Sequence, residues 1–461
     1  MAQPRQWTLR ECCDYAVSHN IGIRQQENQC RQQELQLSTA KNQRLPDLSG
    51  SVGQNFSFGR GLTANNTYSN TNTSSMSFSL GTSIPLFTGF QIPNQIKLSQ
   101  LNLEAATQDL EKAKNDIRMQ VAQAFVQILY DREISDVARR QITIDSMQVV
   151  RLQAMVDNGR ASIAELSQQQ ATLAQSRLTA TQADNNLSLA LLTLTQLLEL
   201  PSPDGFMINA QCTMHNAQLA APGDEAAKDC ALCIVHCALT IEHCALCIEH
   251  CALTIEHCAL PSPEAIYAEA LGIKPEIAAQ QLRLKATDNN IKIAQAGYLP
   301  TLSLSGGLGT NYYTTSGFTA DPFGTQLKNN FSQYIGLSLN VPIFNRFQTR
   351  NSIRNARIEQ QTQQLQLDNT KKALYKEIQQ VYYNAVNAQQ RERSAQEALH
   401  SAANAFQLMQ AKYENGKATI TEFNEAKNNY LKTASDLVQA RYERLYQQAL
   451  ILFYQGRELQ L

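Results

Sequence analysis

The chain has 461 residues and a formal net charge of −1, so it offers neither the basic surface of a nucleic-acid-binding protein nor an acidic tail. Only 43% of the residues are hydrophobic, which argues against one large globular core. No segment approaches the ~18 consecutive apolar residues of a membrane-spanning helix. The N-terminus lacks the apolar core of a signal peptide, which leaves two interpretations: a cytosolic protein, or a mature form with an added Met.

The sequence repeats itself at an offset of 257 residues. Residues 84–96 (IPLFTGFQIPNQI) return as 341–353 (VPIFNRFQTRNSI), and 154–166 (AMVDNGRASIAEL) return as 411–423 (AKYENGKATITEF). An internal repeat of this kind governs the whole fold. We therefore predict a first structural repeat, a linker and a second structural repeat, at residues 1–200, 201–261 and 262–461.

Each repeat is predicted to run helix, two strands and two more helices. The first helical pattern covers residues 7–43 and stops before Pro46, because the residue before a proline disfavours the helical conformation. Residues 76–84 alternate apolar with small polar side chains, as expected for a strand, and residues 335–343 follow the same pattern. Weaker strand patterns come earlier in each repeat, at 49–59 and 301–313.

Two interpretations of the strands are open. The first makes them two hairpins that lie on a soluble core. The second makes them transmembrane β-strands, because the polar face is small and uncharged and aromatic residues flank the strands. In lipid an open sheet edge is not tolerated, and four strands cannot close a barrel, so this interpretation requires two or three copies of the chain. The flanking aromatic residues are Phe56, Phe58, Tyr68, Phe87, Tyr312, Tyr313, Phe331 and Phe344.

The helices that follow the strands are predicted to be very long, at about 91–156 and 348–414. Their apolar residues recur in steps of three and four, the 3.5-residue period of a coiled coil. At 1.5 Å per residue each helix would span roughly 100 Å. In the second repeat only Glu392 interrupts the apolar positions, which are Leu374, Ile378, Val381, Ala385, Ala388, Ala395, Leu399, Ala402, Phe406, Met409 and Tyr413. The first repeat follows the period less strictly, at Ile117, Val121, Ala124, Ile128, Ala138, Ile142, Val149, Leu152 and Val156.

Both long helices end at closely similar residues, DNGRAS (157–162) and ENGKAT (414–419). Gly159 and Gly416 suit a left-handed C-cap, and Ser162 and Thr419 can each cap the next helix. Each repeat is thus predicted to contain a helical hairpin whose tip lies far from the strands.

The linker contains an unusual insert at 230–260, a seven-residue unit that is repeated four times and holds seven of the eleven cysteines. Its cysteine and histidine side chains are possible zinc or copper ligands. The near-identity of the units instead favours a tandem duplication tolerated in a surface linker. We therefore assign no metal and no cofactor to the chain.

The strand-to-helix junctions (IPLFTGFQ and VPIFNRFQ), the phrase YLPTLSLSG and the two tips resemble the TolC family of outer-membrane efflux channels. The resemblance implies a mainly α protein with β structure: a long α-helical coiled-coil barrel plus a membrane β-barrel of four strands per chain, completed by trimerisation. It also implies a homotrimer in the outer membrane of a Gram-negative bacterium, extending into the periplasm. A periplasmic adaptor protein, an inner-membrane transporter and outer-membrane lipid would be its partners, with no nucleic acid.

The resemblance implies which residues of this chain stand at the family's functional positions. Acidic residues after the tips, which are Glu165, Glu422 and Glu425, would face the pore and form its periplasmic entrance. Tyr413 matches a tyrosine that constricts the closed entrance, whereas Ala418 stands where the family can place an arginine. Glu165 and Glu422 have an alternative interpretation: each is an ordinary acid in the first turn of a helix, where the helix dipole favours negative charge. The tip residues expected to contact the adaptor are Asn158, Gly159, Arg160, Asn415, Gly416 and Lys417.

No motif of an enzyme is evident. A phosphate-binding loop, an HExxH zinc motif and a GxSxG nucleophile motif are all absent from the sequence. The expected function is therefore a passive exit duct for drugs, small molecules or proteins. The alternatives are a soluble coiled-coil scaffold and a periplasmic adaptor protein, although an adaptor should have one helical hairpin rather than two.

Overall fold

The computed structural model describes residues 6–62, 66–203, 205–208, 260–457 and 459. The Cys/His insert therefore lies outside the described residues, apart from Leu260. The helices are α1 (Leu9–His19), α2 (Ile21–Asn42), α3 (Gln91–Asp157), α4 (Ile163–Leu197), α5 (Pro263–Ile273), α6 (Pro275–Ala296), α7 (Phe323–Asn329), α8 (Gln348–Glu414) and α9 (Ile420–Tyr454). The strands are β1 (Gln6–Trp7), β2 (Asp47–Leu62), β3 (Tyr68–Thr88), β4 (Met207–Ile208), β5 (Thr301–Thr315) and β6 (Ser332–Asn340).

The two long helices expected from the coiled-coil period are confirmed. Helices α3 and α8 each have 67 residues, and the helices that follow them, α4 and α9, each have 35. No helix among the described residues is both long enough and apolar enough to cross a membrane.

The first helix differs from the prediction of one continuous helix over 7–43. The chain leaves the helical conformation at Asn20, whose φ of −60° and ψ of 130° separate α1 from α2. The Asn20 side chain holds this break, because it accepts a hydrogen bond from the Gly22 amide at 2.8 Å and donates one to the Leu197 carbonyl at 3.3 Å. Asparagine competes with helical hydrogen bonding in this way.

Strands β2, β3, β5 and β6 form one antiparallel sheet in that order. The central pairing, β3 with β5, joins the two halves of the sequence, and Leu80 lies opposite Leu308. The two predicted hairpins therefore form one sheet, and an interpretation as two separate hairpins is wrong for these residues. The strand predicted to reach Ile343 ends at Asn340, because Pro342 has no amide hydrogen for the ladder.

The register gives the sheet two chemically different faces. Paired residues lie on the same face, so Val52 lies beside Phe78, and Gly306 lies beside Thr82 and Ile335. This face is apolar and largely exposed: Ile335 is 86% and Val52 is 67% exposed. The opposite face consists mostly of serine and glycine and also carries Tyr313 and Tyr334; its small residues are Ser49, Ser51, Gly53, Ser77, Ser79, Gly81, Ser303, Ser305, Gly307, Gly309 and Ser338.

Strand β5 extends beyond its pairing with β6, which ends where Gly309 meets Ser332. There the backbone groups of β5 form hydrogen bonds with side chains from α7 and the residue after it instead. The Gln326 side chain accepts a hydrogen bond from the Tyr313 amide at 2.9 Å and donates one to the Tyr313 carbonyl at 3.0 Å. Asn330 donates to the Asn311 carbonyl at 2.8 Å. Side chains thus occupy an edge that would otherwise leave backbone groups unpaired.

The described chain divides into two compact units. One comprises residues 27–109 and 278–369 and contains the four-stranded sheet; the other comprises residues 1–26, 110–277 and 370–461 and contains both helical tips. Within the sheet unit, Arg283 forms an ion pair with Asp109, and Gln360 donates to Asp288 at 2.5 Å. Within the helical unit, α1 packs on α3 and α4 through a core that includes Cys12, Cys13, Val121, Phe125, Leu129, Leu194 and Leu198.

Candidate functional site

The two tips have the same backbone structure. At the first, the Gly159 amide donates to the Val156 carbonyl at 2.9 Å, and the Arg160 amide donates to Met155 at 2.8 Å. This pair of bonds is a Schellman motif, and the φ of 68° at Gly159 is the left-handed conformation that the motif requires. The second tip repeats both bonds, from Gly416 to Tyr413 and from Lys417 to Lys412, with a φ of 71° at Gly416.

The asparagine before each glycine adds a further bond to the helix end. The Asn158 side chain donates to the Ala154 carbonyl at 2.6 Å, and the Asn415 side chain donates to Ala411 at 2.8 Å. The six predicted tip residues lie at the surface rather than in a core. All six are exposed: Asn158, Gly159, Arg160, Asn415, Gly416 and Lys417.

Glu165 and Glu422 each complete a capping box. The Glu165 carboxylate accepts a hydrogen bond from the Ser162 amide at 3.0 Å, while the Ser162 hydroxyl accepts one from the Glu165 amide at 3.1 Å. Glu422 does the same with Thr419, and its carboxylate also accepts a bond from the Thr419 hydroxyl at 2.9 Å. Both acids therefore have a structural role at a helix start, in agreement with the alternative interpretation for these two residues.

The electrostatics of the second tip follow from these bonds. Hydrogen bonds from the Thr419 amide and hydroxyl to the ionised carboxylate lower the pKa of Glu422. Glu425 lies one turn further along α9 and is exposed. Glu422 and Glu425 are three residues apart and therefore lie on the same side of the helix.

Tyr413 lies in a small hydrophobic core that both hairpins build. Its ring is 5.0 Å from the Phe423 ring, and the core also contains Leu152, Leu166 and Ile420. Burial raises the pKa of the Tyr413 hydroxyl, although the positive charge of Arg151 opposes the shift. That hydroxyl is buried and has no hydrogen-bond partner among the described residues.

The structure adds residues that the sequence did not single out. The guanidinium of Arg151 lies 5.3 Å from the centre of the Tyr413 ring and 4.0 Å from the Glu414 carboxylate. An arginine from the first repeat thus takes a place beside Tyr413, whereas Ala418 at the second tip supplies no charge. Asp145 and Lys427 form a fully buried ion pair further from the tips.

The described part of the chain contains no cluster of three or more histidine, cysteine, aspartate or glutamate side chains that could hold a metal ion. Cys12 and Cys13 are buried in the core around α1, and burial raises the pKa of each thiol to about 12. Neither thiol is thus a reactive group at neutral pH. The candidate site consists of the tips, their acids and Tyr413.

Four long helices that end in two matching tips, together with a four-stranded sheet, define the channel-tunnel fold. The chain superposes on CusC, described for its transmembrane channel formation, with a TM-score of 0.72 and 17% identity, over 98% of this chain and 92% of that one. It superposes on the outer membrane protein VceC of Vibrio cholerae with a TM-score of 0.72 and 17% identity, over 98% and 96% of the two chains.

The family model "Outer membrane efflux protein" matches residues 14–199 and 266–456. The outer membrane efflux protein BepC of Brucella suis is 20% identical over 98% of this chain and 85% of its own length. TolC of Vibrio cholerae is 26% identical over 40% of this chain and 41% of its own length. The chain belongs to the outer membrane efflux protein family, the TolC family. Its function is that of an outer-membrane efflux channel in a tripartite system, in which this family works with an adaptor and an inner-membrane transporter.

Proposed function

We propose that three copies of this chain form a passive exit duct, with twelve strands closed into one barrel in the outer membrane and the helices extending into the periplasm. The main support for this proposal is the structure of the sheet. Within the described residues, β2 and β6 each pair with one neighbour, so the four-stranded sheet has two open edges. Its apolar face is exposed, and in lipid every backbone group needs a partner. Three sheets joined edge to edge satisfy both requirements.

The polar face of the sheet would then line the bore. Most of its residues are serine or glycine, which are small and uncharged and leave room for water and solutes, and Tyr313 and Tyr334 add uncharged rings. This chemistry suits a duct through which solutes pass while the inner-membrane transporter supplies the energy. The apolar face would contact outer-membrane lipid.

The exposed tips are the proposed contacts for the periplasmic adaptor protein. Both tips present an asparagine, a glycine and a basic residue on the same backbone. The two tips arise from the first and second structural repeats, at 1–200 and 262–461, with 201–261 between them. A common recognition element at each tip would let one adaptor surface bind both hairpins.

The acids beyond the tips are the proposed periplasmic entrance of the duct. Glu165, Glu422 and Glu425 are exposed, and a trimer would bring three copies of each to one axis. Clustered carboxylates favour cations and bind multivalent ions. Tyr413 would take part in the constriction through its ring, which packs against Phe423 in the core between the two hairpins.

Two neighbouring residues of β6 test the barrel. Leu337 lies on the apolar face and Ser338 on the polar face. Leu337→Arg should impair assembly in the membrane, because arginine on a lipid-facing position costs about 2–4 kcal/mol at the bilayer midplane. Ser338→Arg, the matched control, should leave the trimer intact and change its conductance.

Native mass spectrometry in detergent measures the outcome. The parent chain and the Ser338→Arg variant should be trimers, and the Leu337→Arg variant should yield less trimer from outer membranes. A parent chain that is a stable monomer with its full β content would contradict the proposal. So would a Leu337→Arg variant that assembles as well as the parent.

A further inference from the structure

An ion pair lies in the interior of the helical unit, where charged groups are rarely found. The side chains of Asp145 on α3 and Lys427 on α9 are both fully buried and contact each other directly. Removing two charges from water costs several kcal/mol per ion, so such a pair needs further hydrogen bonds to be tolerated.

Side chains from three helices supply those bonds. The Asp145 carboxylate accepts hydrogen bonds from Ser176 at 2.5 Å, from Gln141 at 2.7 Å and from Gln169 at 3.3 Å, in addition to Lys427. The Lys427 ammonium also donates to Asn424 at 3.0 Å. The network is closed by the Asn424 side chain, which donates to Gln169 at 2.9 Å. It thus fixes α9 against both α3 and α4.

Asp145 also occupies a position where the coiled-coil period calls for an apolar residue. The apolar positions of the first repeat run through Ile142 and Val149, and the residue between them in the three-and-four pattern is Asp145. An apolar pair of similar volume would often be as stable or more stable there. In coiled coils a buried polar residue at such a position specifies register at a cost in stability.

The same two turns of α9 carry the acids of the proposed entrance. Phe423 and Lys427 are buried, whereas Glu422 and Glu425 are exposed on a different face. Successive residues of an α-helix are about 100° apart, so a rotation of α9 by one residue would move Lys427 out of its buried position, and in one sense it would place Glu422 where Phe423 packs. The neighbouring core of Leu152, Leu166, Ile420 and Phe423 is held by apolar contacts, which lack the directionality of the hydrogen bonds around the ion pair.

We propose that the ion pair of Asp145 and Lys427 is a positioning device that fixes the rotation of α9 and thereby holds Glu422 and Glu425 at the mouth of the duct. The proposal rests on the entrance proposed above. Neither Asp145 nor Lys427 contacts the solute path; both act through the acids that they place.

The chain offers a matched control pair on the same helix. Arg444 of α9 forms an ion pair with Glu392 of α8, and Glu392 is the residue that interrupts the coiled-coil pattern of the second repeat. Both side chains are mostly buried, but Arg444 lies 17 residues further along α9 than Lys427. Neutralising this pair removes another ion pair of α9, a less buried one to α8, and leaves the network around Asp145 and Lys427 untouched.

The test compares Asp145→Asn/Lys427→Met with Glu392→Gln/Arg444→Met. Lys427→Met alone should lower the melting temperature of the detergent-solubilised trimer by roughly 5–10 °C, because it leaves a buried carboxylate unpaired. The double variant Asp145→Asn/Lys427→Met should melt within about 5 °C of the parent, because neither charge remains. A double variant that melts near the parent temperature shows that the pair is not needed for stability, so any change in its channel properties reports a positioning role.

Two further measurements report on the position of α9. The first is the concentration of a trivalent cation, hexamminecobalt, that blocks half of the current in a planar bilayer. The second is the fluorine NMR signal of 4-fluorophenylalanine incorporated at Phe406, whose ring lies 5.6 Å from Phe423 and 5.5 Å from Tyr430 of α9. Ring currents make this signal sensitive to a rotation of α9.

In Asp145→Asn/Lys427→Met the blocking concentration should rise on the order of tenfold, because the carboxylates leave the mouth. The fluorine signal should shift or split, and the control pair should keep the parent values of both. A double variant with the parent's blocking concentration overturns the proposal. If hexamminecobalt does not block even the parent, the proposed entrance is wrong, and the fluorine signal decides alone: a shifted signal supports a positioning role for the pair, and an unchanged signal overturns it.

Discussion

The two helical tips have the same backbone structure but lie in different environments. Both end a 67-residue helix with a Schellman motif, and both begin a 35-residue helix with a capping box. Yet Ile163, the first residue of α4, is 72% exposed, whereas Ile420, the first residue of α9, is 7% exposed. The same residue type at the same place in the motif is outside in one hairpin and inside in the other.

The side chains that differ between the tips account for this contrast. The position of Tyr413 is held by Val156 in the first hairpin, and that of Phe423 by Leu166. The acid Glu425 corresponds to Gln168. The motif residues therefore specify the turn, and the flanking substitutions add two aromatic rings and one further acid to the second hairpin. A repeated sequence in this chain preserves geometry while the two copies differ in chemistry.

The largest expected effect concerns the core shared by the tips. Phe423→Ala should destabilise the helical unit by about 3–5 kcal/mol, since a fully buried aromatic ring is replaced by a cavity. Leu166→Ala at the equivalent position of the first hairpin should cost about 2–4 kcal/mol. Unfolding of the detergent-solubilised protein, followed by circular dichroism, measures both. A larger loss from Leu166→Ala would mean that the second hairpin does not dominate this core.

The turn glycines provide a test of the shared backbone. Gly159→Ala and Gly416→Ala should each cost about 1–2 kcal/mol, because both residues have positive φ while a Cβ would meet open space. Gly272, near the end of α5, also faces open space but has no positive φ, so Gly272→Ala should be neutral or stabilising by up to about 1 kcal/mol. Thermal unfolding measures the stability lost in each variant, and unequal losses would show that the two turns are not energetically equivalent.

The caps should show a smaller, equal effect. Ser162→Ala and Thr419→Ala each remove the side chain that accepts a hydrogen bond at the start of a helix, at a cost of about 1 kcal/mol. Hydrogen exchange of the first turn of α4 and α9 measures the local loss. An effect at one helix and none at the other would show that tertiary contacts, rather than the capping box, hold that helix start.

The smallest effect is a dependence on pH. The pKa of Glu422 is lowered in the folded protein, so its contribution to stability is present above 4.5, the ordinary value of the group, and is lost as the pH falls through the folded pKa. The parent should therefore lose stability below pH 4.5 more steeply than Glu422→Gln. The exposed position of Glu422 makes the difference small. If the melting temperatures of the two proteins fell by the same amount as the pH is lowered below 4.5, the lowered pKa of Glu422 would be contradicted.

The sequence predicts this fold to a large extent because its strongest signals are periodic. The coiled-coil period predicts α3 and α8 within one residue at each end, and strict alternation predicts the middle of β3 and most of β6. Asn20 divides the first predicted helix through a local side-chain bond that interrupts no periodic pattern. Pairing between distant residues is invisible to periodicity, so Arg151 beside Tyr413 was not predicted. Asp145 did leave a signal, as a gap in the apolar positions, although nothing in the sequence shows that Lys427 is its partner.

The proposed entrance depends most directly on the two acids of the second tip, Glu422 and Glu425. Replacing both Glu422 and Glu425 with glutamine keeps their size and removes up to six charges from a trimer, while exposed helix charges contribute only ~0.3–1 kcal/mol each to stability. The decisive measurement is the current through a reconstituted channel in a planar bilayer, with multivalent cations added on the side of the tips. We expect the parent to be cation-preferring and blocked by the cations, and the double variant to lose both properties while melting within a few degrees of the parent. A double variant that retains the block and the preference would show that these acids do not line the mouth.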